Sequence, residues 1–135
     1  MTAIKIDLRS FSFWKKALIA FTLGGLLAGA LAPVHAIFIL PISLSGLLIL
    51  ERSCINKKQS FFIGWWFGWG HFIAGLYWIG VAFTIDANAH AALIPVPTLI
   101  LPACLAVFFG LATVLTRILG ISGLIKILAF ASIWT

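Results

Sequence analysis

The chain has 135 residues, of which 63% are hydrophobic and 9% charged, and its mean hydropathy is +1.19. Soluble domains carry about 25% charged residues, so this composition excludes an ordinary water-soluble protein and indicates an integral membrane protein. The net charge of +6 would suit nucleic-acid binding, but the basic residues lie in the gaps between apolar runs. We therefore interpret them as determinants of membrane topology and expect no nucleic-acid partner.

The chain begins with a predicted cytoplasmic segment, 1–16, followed by two apolar runs, 17–32 and 34–50, that only Pro33 separates. One helix over 17–50 would be about 51 Å long, whereas the hydrocarbon core of a bilayer is about 30 Å thick. Proline also disfavours a helical conformation in the residue before it. The sequence therefore predicts two short helices that form a hairpin.

The third and fourth apolar runs, 60–85 and 93–116, flank a loop, 86–90, that contains no Lys or Arg. With a hairpin in the first two runs, all the basic residues fall on the same side of the membrane. The positive-inside rule makes that side cytoplasmic, and the N-terminus with it. The nine basic residues are Lys5, Arg9, Lys15, Lys16, Arg52, Lys57, Lys58, Arg117 and Lys126.

The last apolar run, 118–135, contains Lys126 near its middle, which costs about 2.5–3.5 kcal/mol on membrane-insertion scales. We expect it to form a partial or short fifth span, and we expect the chain to be part of a larger membrane domain. The predicted fold class is therefore all-α. The architecture is a polytopic transmembrane helical bundle of about four full spans plus this partial fifth, over residues 17–135.

Small residues recur at four-residue spacing in the predicted spans, as Gly25/Gly29 and Gly64/Gly68, and Gly70 with Ala74 extends the second pattern. This spacing allows close approach of helices in lipid. We favour packing within the chain over a dimer interface.

Aromatic residues and prolines mark the third and fourth spans. We interpret the aromatic residues of the third span as belts at the two membrane interfaces. Pro95 and Pro97 suit the entrance of a helix, and Pro102 is predicted to kink the fourth span and to free a carbonyl near Thr98. The aromatic residues are Trp65, Trp66, Trp69, Tyr77 and Trp78.

Few residues are candidates for chemistry. His71 lies in the middle of a span, where an ionisable side chain suggests function, although a neutral His bonded to a neighbouring helix is the more common state. Asp86 and His90 could form an acid–base pair, but a solvated loop is the simpler interpretation. Cys54 and Cys104 are predicted to lie at different depths, which disfavours a disulfide or a metal site. We find no nucleophile–base constellation or phosphate loop.

The third span combines several glycines with a Tyr-Trp pair, as Phe67-Gly68, Gly70 and Gly75-Leu76-Tyr77-Trp78. This pattern resembles a segment of the apolipoprotein N-acyltransferases, which have a Phe-Gly-x-Gly core followed by Gly-x-Tyr-Trp. The stretch Gly29-Ala-Leu-Ala-Pro33 also resembles the first helical hairpin of that family.

The resemblance implies that the chain is related to bacterial inner-membrane enzymes. These enzymes transfer an acyl chain from a phospholipid to the N-terminal cysteine of a lipoprotein. Their Glu-Lys-Cys triad lies in a nitrilase-like periplasmic domain that follows the membrane bundle and has no counterpart in these 135 residues. Cys54 is predicted to be cytoplasmic and Cys104 to lie within a span, so neither can act as the nucleophile. None of the acids Asp7, Glu51 and Asp86 corresponds to the triad Glu.

The predicted function is therefore the N-terminal transmembrane portion of such an enzyme, inactive by itself. We expect no catalytic, cofactor-binding or metal-binding residue in it. The expected partners are membrane phospholipid and either the lipoprotein substrate or a separate catalytic fragment. The alternative is a small autonomous membrane protein, such as a transporter subunit or a membrane interaction partner, for which His71 and the kinked fourth span are the motivation.

Overall fold

The computed structural model describes residues 11–29, 38–84 and 95–120. These residues form helices and no strands, which confirms the predicted all-α fold class for this part of the chain. A π-helical segment, Val96–Ile100, leads directly into the last helix. The α-helices are α1 (Phe13–Ala28), α2 (Ile39–Arg52), α3 (Lys57–Gly75), α4 (Tyr77–Thr84) and α5 (Leu101–Ile118).

Helices α1 and α2 run antiparallel. Lys16, near the start of α1, donates a hydrogen bond to the carbonyl oxygen of Ser53, just after the end of α2, at 3.1 Å. Further along, the Leu23 side chain of α1 fills the space beside Gly46 of α2. This is the arrangement expected of a hairpin, although Pro33 itself lies outside the described residues.

Helix α3 lies between α1 and α5. It runs parallel to α1, since Phe13 meets Phe62 at a ring-centroid distance of 6.4 Å and, two turns on, Phe21 meets Trp69 at 5.9 Å. It runs antiparallel to α5, whose Thr113 donates to the carbonyl oxygen of Ser60 at 3.0 Å. The core therefore follows α3, and its buried members are Ala20, Leu27, Leu44, Leu47, Leu50, Cys54, Ile63, Phe67, Phe109 and Ala112.

Glycines set the distance between α3 and its two neighbours. A Cβ atom at Gly24 of α1 would overlap the carbonyl oxygen of Phe67, and one at Gly70 of α3 would overlap that of Phe21. Backbones in direct contact allow no side chain at either position. The closest α1–α3 approach therefore occurs at Gly24. The Gly25/Gly29 pair, predicted to make close contacts, is more loosely packed against α3: a Cβ atom at Gly25 would lie 3.8 Å from the carbonyl oxygen of Gly70, and one at Gly29 would meet no atom of α3 within 4 Å.

The Gly64/Gly68 pair does pack within the chain. A Cβ atom at Gly64 would overlap the Thr113 hydroxyl and lie 2.7 Å from the carbonyl oxygen of Phe109, and at Gly68 it would lie 2.8 Å from the Phe109 ring. On α5, a Cβ atom at Gly110 would lie 2.7 Å from the ring of Phe61. The predicted preference for intramolecular packing is confirmed for this pair.

The third predicted span is two helices, because α3 ends at Gly75 and α4 begins after Leu76. In the fourth, the π-helical segment ends at Ile100, two residues before Pro102, where the sequence predicts a kink. Trp65 and Trp69 of α3 donate indole hydrogen bonds to the carbonyl oxygens of Ala103, at 2.9 Å, and Leu99, at 3.3 Å. These two tryptophans therefore bridge helices, a role beyond the interfacial belt that we predicted.

Within the described residues, one helix is long and apolar enough to cross a membrane, Val96–Ile118, with 23 residues. The number of spans and their boundaries stay predictions. Large apolar side chains nevertheless cover the outside of the bundle on every helix; examples are Leu18, Ile42, Phe62, Trp78 and Phe108.

Candidate functional site at the basic end of the bundle

The turn between α2 and α3 is built by local capping. The Asn56 side chain accepts a hydrogen bond from the backbone N–H of Gln59 at 2.9 Å, and the Gln59 side chain accepts one from the N–H of Ile55 at 3.0 Å. These bonds satisfy N–H groups that the start of a helix leaves without partners. The end of α2 and the start of α3 are thus held close together.

Two cations from other helices bind the carbonyl groups of this turn. Lys16 of α1 binds the carbonyl oxygen of Ser53, and Arg117 of α5 donates to those of Cys54, at 3.0 Å, and Ile55, at 3.3 Å. The C-terminal end of a helix carries partial negative charge, so cations there are stabilising. Lys16 and Arg117 therefore fix both outer helices to the same turn.

Glu51 lies beneath the turn and is only 3% exposed. Its Oε1 accepts a hydrogen bond from the Ser60 hydroxyl at 3.4 Å and lies 4.0 Å from Nη1 of Arg117. A buried carboxylate is costly unless a counter-charge and donors satisfy it. Glu51 is thus a structural partner of Arg117 and Ser60. Its carboxylate does not face a substrate-binding surface in this arrangement.

All the charged residues that the structure describes lie at this end of the bundle. Lys15, Arg52, Lys57 and Lys58 are exposed around the turn that Lys16 and Arg117 bind. We call these six residues the basic end. Six of the nine basic residues thus lie together at one end of the bundle, which is the arrangement that the charge pattern predicts.

The two cysteines lie on different elements, Cys54 in the turn between α2 and α3 and Cys104 in α5. Burial raises the pKa of the Cys54 thiol, against the opposing effect of Lys16, so the thiol stays protonated and weakly nucleophilic at neutral pH. Its S–H group bonds the carbonyl oxygen of Leu50 at 3.4 Å. Cys104 is a free, exposed residue of α5, 13 positions before Arg117, which is about 20 Å of helix.

His71 is buried in the core and not at the basic end. It lies on α3 against the rings of Phe72 and Phe109, with centroid distances of 5.3 and 5.8 Å, and its backbone nitrogen lies 3.0 Å from where a Cβ atom at Gly24 of α1 would be. The interpretation of His71 as a neutral residue bonded to a neighbouring helix stays a prediction. Asp86 and His90 lie outside the described residues.

Sequence reasoning treated Lys16, Glu51 and Arg117 as charges in gaps and missed their contacts. The available signal was the position of Glu51, an acid at the end of an apolar run and within a few residues of a polar turn. It could have suggested a buried partner for one of the cations. Which cation it meets depends on the order of helices α1, α3 and α5 in space.

The fold and this end together define a class: in its described residues, the protein is all-helical, with an apolar exterior and its charged side chains at one end. A family model described as the apolipoprotein N-acyltransferase N-terminal domain matches residues 23–135. The chain therefore belongs to the apolipoprotein N-acyltransferase family. This membership favours the acyltransferase interpretation over that of an autonomous membrane protein.

Several curated relatives carry the name apolipoprotein N-acyltransferase. The protein of Allorhizobium ampelinum is 41% identical over 130 residues, which are 90% of this chain and 25% of the relative. Those of Rhodopseudomonas palustris and Brucella melitensis are each 38% identical over 87% of this chain, and 23% and 24% of their own lengths are covered. The chain thus spans about a quarter of the length of these relatives.

Proposed function

We propose that these 135 residues are the N-terminal transmembrane portion of an apolipoprotein N-acyltransferase. They serve there as a membrane-embedded scaffold for phospholipid-to-lipoprotein acyl transfer. The observation that carries the proposal is the match of residues 23–135 to the N-terminal domain of that family. The apolar outer surface of the bundle supports it, since a water-soluble protein rarely exposes so many large apolar side chains.

The proposed topology has about four spans in the bacterial inner membrane, with the N-terminus and the basic end in the cytoplasm. The alternation of helix directions supports it, because α1 and α3 run one way and α2 and α5 the other. A reporter fused within 55–58 is expected to report cytoplasm, and one fused within 86–90 to report periplasm. A periplasmic signal from 55–58 would overturn this topology.

We also propose that the segment contributes no catalytic group. Glu51, the one acid among the described residues, interacts with Ser60 and Arg117. Burial keeps the Cys54 thiol protonated. Membranes that contain only residues 1–135 are therefore expected to leave diacylated lipoprotein unconverted. Turnover by such membranes would disprove this.

A chimera tests the scaffold role directly. The matching N-terminal quarter of the Brucella melitensis relative is replaced by residues 1–135, and acylation is measured in a strain that depends on the chimera. We expect activity from the chimera and a loss of activity in its Gly70→Leu version, in which α1 and α3 cannot meet. Gly75→Leu is the matched control, since nothing lies within 4 Å of a Cβ atom there. An inactive chimera that is inserted normally would contradict the scaffold role.

A further inference from the structure

Within the residues that the structure describes, the positive charge of the basic end is not neutralised by carboxylates. The described residues include six cations and one carboxylate, a net charge of +5. The carboxylate, Glu51, is 3% exposed, whereas four of the cations are exposed. Every exposed charged side chain in the described ranges is therefore positive.

Large apolar side chains accompany these cations at the same end. Trp14 precedes Lys15 and is 69% exposed, and Ile55, in the turn that Arg117 binds, is 83% exposed. Phe62 lies one turn after Lys58 and is also exposed. An aqueous anion would gain nothing from these side chains. A lipid would, because its headgroup carries a phosphate directly above an apolar region.

We propose that the basic end binds anionic phospholipid headgroups selectively, in preference to zwitterionic ones. The proposal rests on the membrane location given under the proposed function and names the lipid class that this end recruits. Exposed Lys15, Arg52, Lys57 and Lys58 supply the attraction for the phosphodiester, while Lys16 and Arg117 are already bonded to the turn. Basic clusters beside a membrane concentrate anionic lipids in this way.

The experiment uses the full chain in liposomes with spin-labelled phosphatidylglycerol or phosphatidylcholine. Electron spin resonance then gives the relative association of each lipid from its motionally restricted component. We expect phosphatidylglycerol to associate at least about twofold more strongly, and the ratio to approach one in high salt, where the screening length falls to about 3 Å.

The test variant is Lys57→Gln/Lys58→Gln. Both lysines are exposed at the N-terminus of α3, where positive charge is unfavourable to the helix dipole, so the fold is expected to tolerate the change. We expect the selectivity to fall in this variant and to persist in the matched control Lys57→Arg/Lys58→Arg. An equal ratio in the wild type, or an unchanged ratio in the Gln variant, would overturn the proposal.

Two further outcomes separate the alternatives. Loss of selectivity on adding inorganic phosphate, at matched ionic strength, would indicate a site for free phosphate and would overturn lipid binding. Absence of a restricted component with both lipids would mean that the chain is not embedded, and would overturn the membrane scaffold as well. A restricted component of equal size for both lipids overturns only the selectivity.

Discussion

Arg117, in the last turn of α5, donates a hydrogen bond to the carbonyl oxygen of Cys54, 3.0 Å away in the turn between α2 and α3. Replacing it by Gln removes the cation that bonds this carbonyl and lies 4.0 Å from the buried Glu51 carboxylate. We expect Arg117→Gln to lower the free energy of unfolding by about 1.5–3 kcal/mol, the range for charge-assisted hydrogen bonds. Denaturation in detergent, followed by tryptophan fluorescence, measures this loss.

Arg52→Gln is the matched control for this prediction. Arg52 ends α2 beside the same turn, but it is exposed and makes no hydrogen bond to another described side chain or backbone group in residues 11–29, 38–84 and 95–120. Its substitution is expected to change stability by less than about 0.5 kcal/mol. Equal losses for the two variants would show that net charge, and not the contact with Cys54, matters.

Gly70 and Gly75 offer a second contrast on a single helix. A Cβ atom at Gly70 would overlap the Phe21 carbonyl oxygen, which is backbone and cannot move aside, whereas at Gly75 it would meet nothing within 4 Å. We expect Gly70→Ala to lower the free energy of unfolding by more than about 2 kcal/mol, as overpacking does. Gly75→Ala should be neutral, or stabilising by up to about 1 kcal/mol. Similar stability of the two variants would argue against the direct α1–α3 contact.

Trp65 tests the bond to α5. Trp65→Phe keeps most of the ring but removes the indole N–H that binds the carbonyl oxygen of Ala103 at 2.9 Å. Hydrogen bonds between membrane helices average about 0.6 kcal/mol, with a maximum near 1.7 kcal/mol, and we expect a loss in this range. Trp14→Phe is the control, because Trp14 is 69% exposed and its ring contacts with described residues are the edge contacts to Phe13 and Trp66. The indole N–H resonance of Trp65 should also be displaced downfield from that of Trp14.

The Cys54 thiol gives a prediction about pH. Burial raises its pKa above the ordinary value of 9.0, so the folded chain resists formation of the thiolate. The buried thiol therefore stabilises the fold below about pH 9, and this contribution is lost as the pH rises through the folded-state pKa. In a Cys104→Ser background, we expect the alkylation rate of Cys54 to rise with a midpoint above 9.0.

The same single-cysteine chain, unfolded in denaturant, is the reference for that measurement. It should react faster at every pH and show a midpoint near the ordinary thiol value. A folded-state midpoint at or below that of the unfolded chain would mean that Lys16 and Arg117, which lower the pKa, outweigh burial.

The helical class and the gathering of the cations at one end could be predicted from the sequence, because both follow from the spacing of apolar runs and charges. The contacts between individual residues could not be predicted in this way. Lys15 and Lys16 are neighbours, yet one is exposed and the other 5% exposed, since only Lys16 faces the end of α2. Gly24 was missed for the same reason: a four-residue spacing identifies a helix face but not its rotation toward α3.

The parallel contact between α1 and α3 has a consequence for biogenesis. These helices are joined through α2, so Gly24 can reach Phe67, and Gly70 can reach Phe21, only after α2 and α3 have both been synthesised. The α1–α2 hairpin can close first, as soon as Lys16 reaches Ser53. During synthesis from the N-terminus, the face of α1 that carries Gly24 must therefore stay unoccupied while α2 packs beside it. If another helix packed on that face before α3, it would hold the nascent chain in an incorrect arrangement of helices.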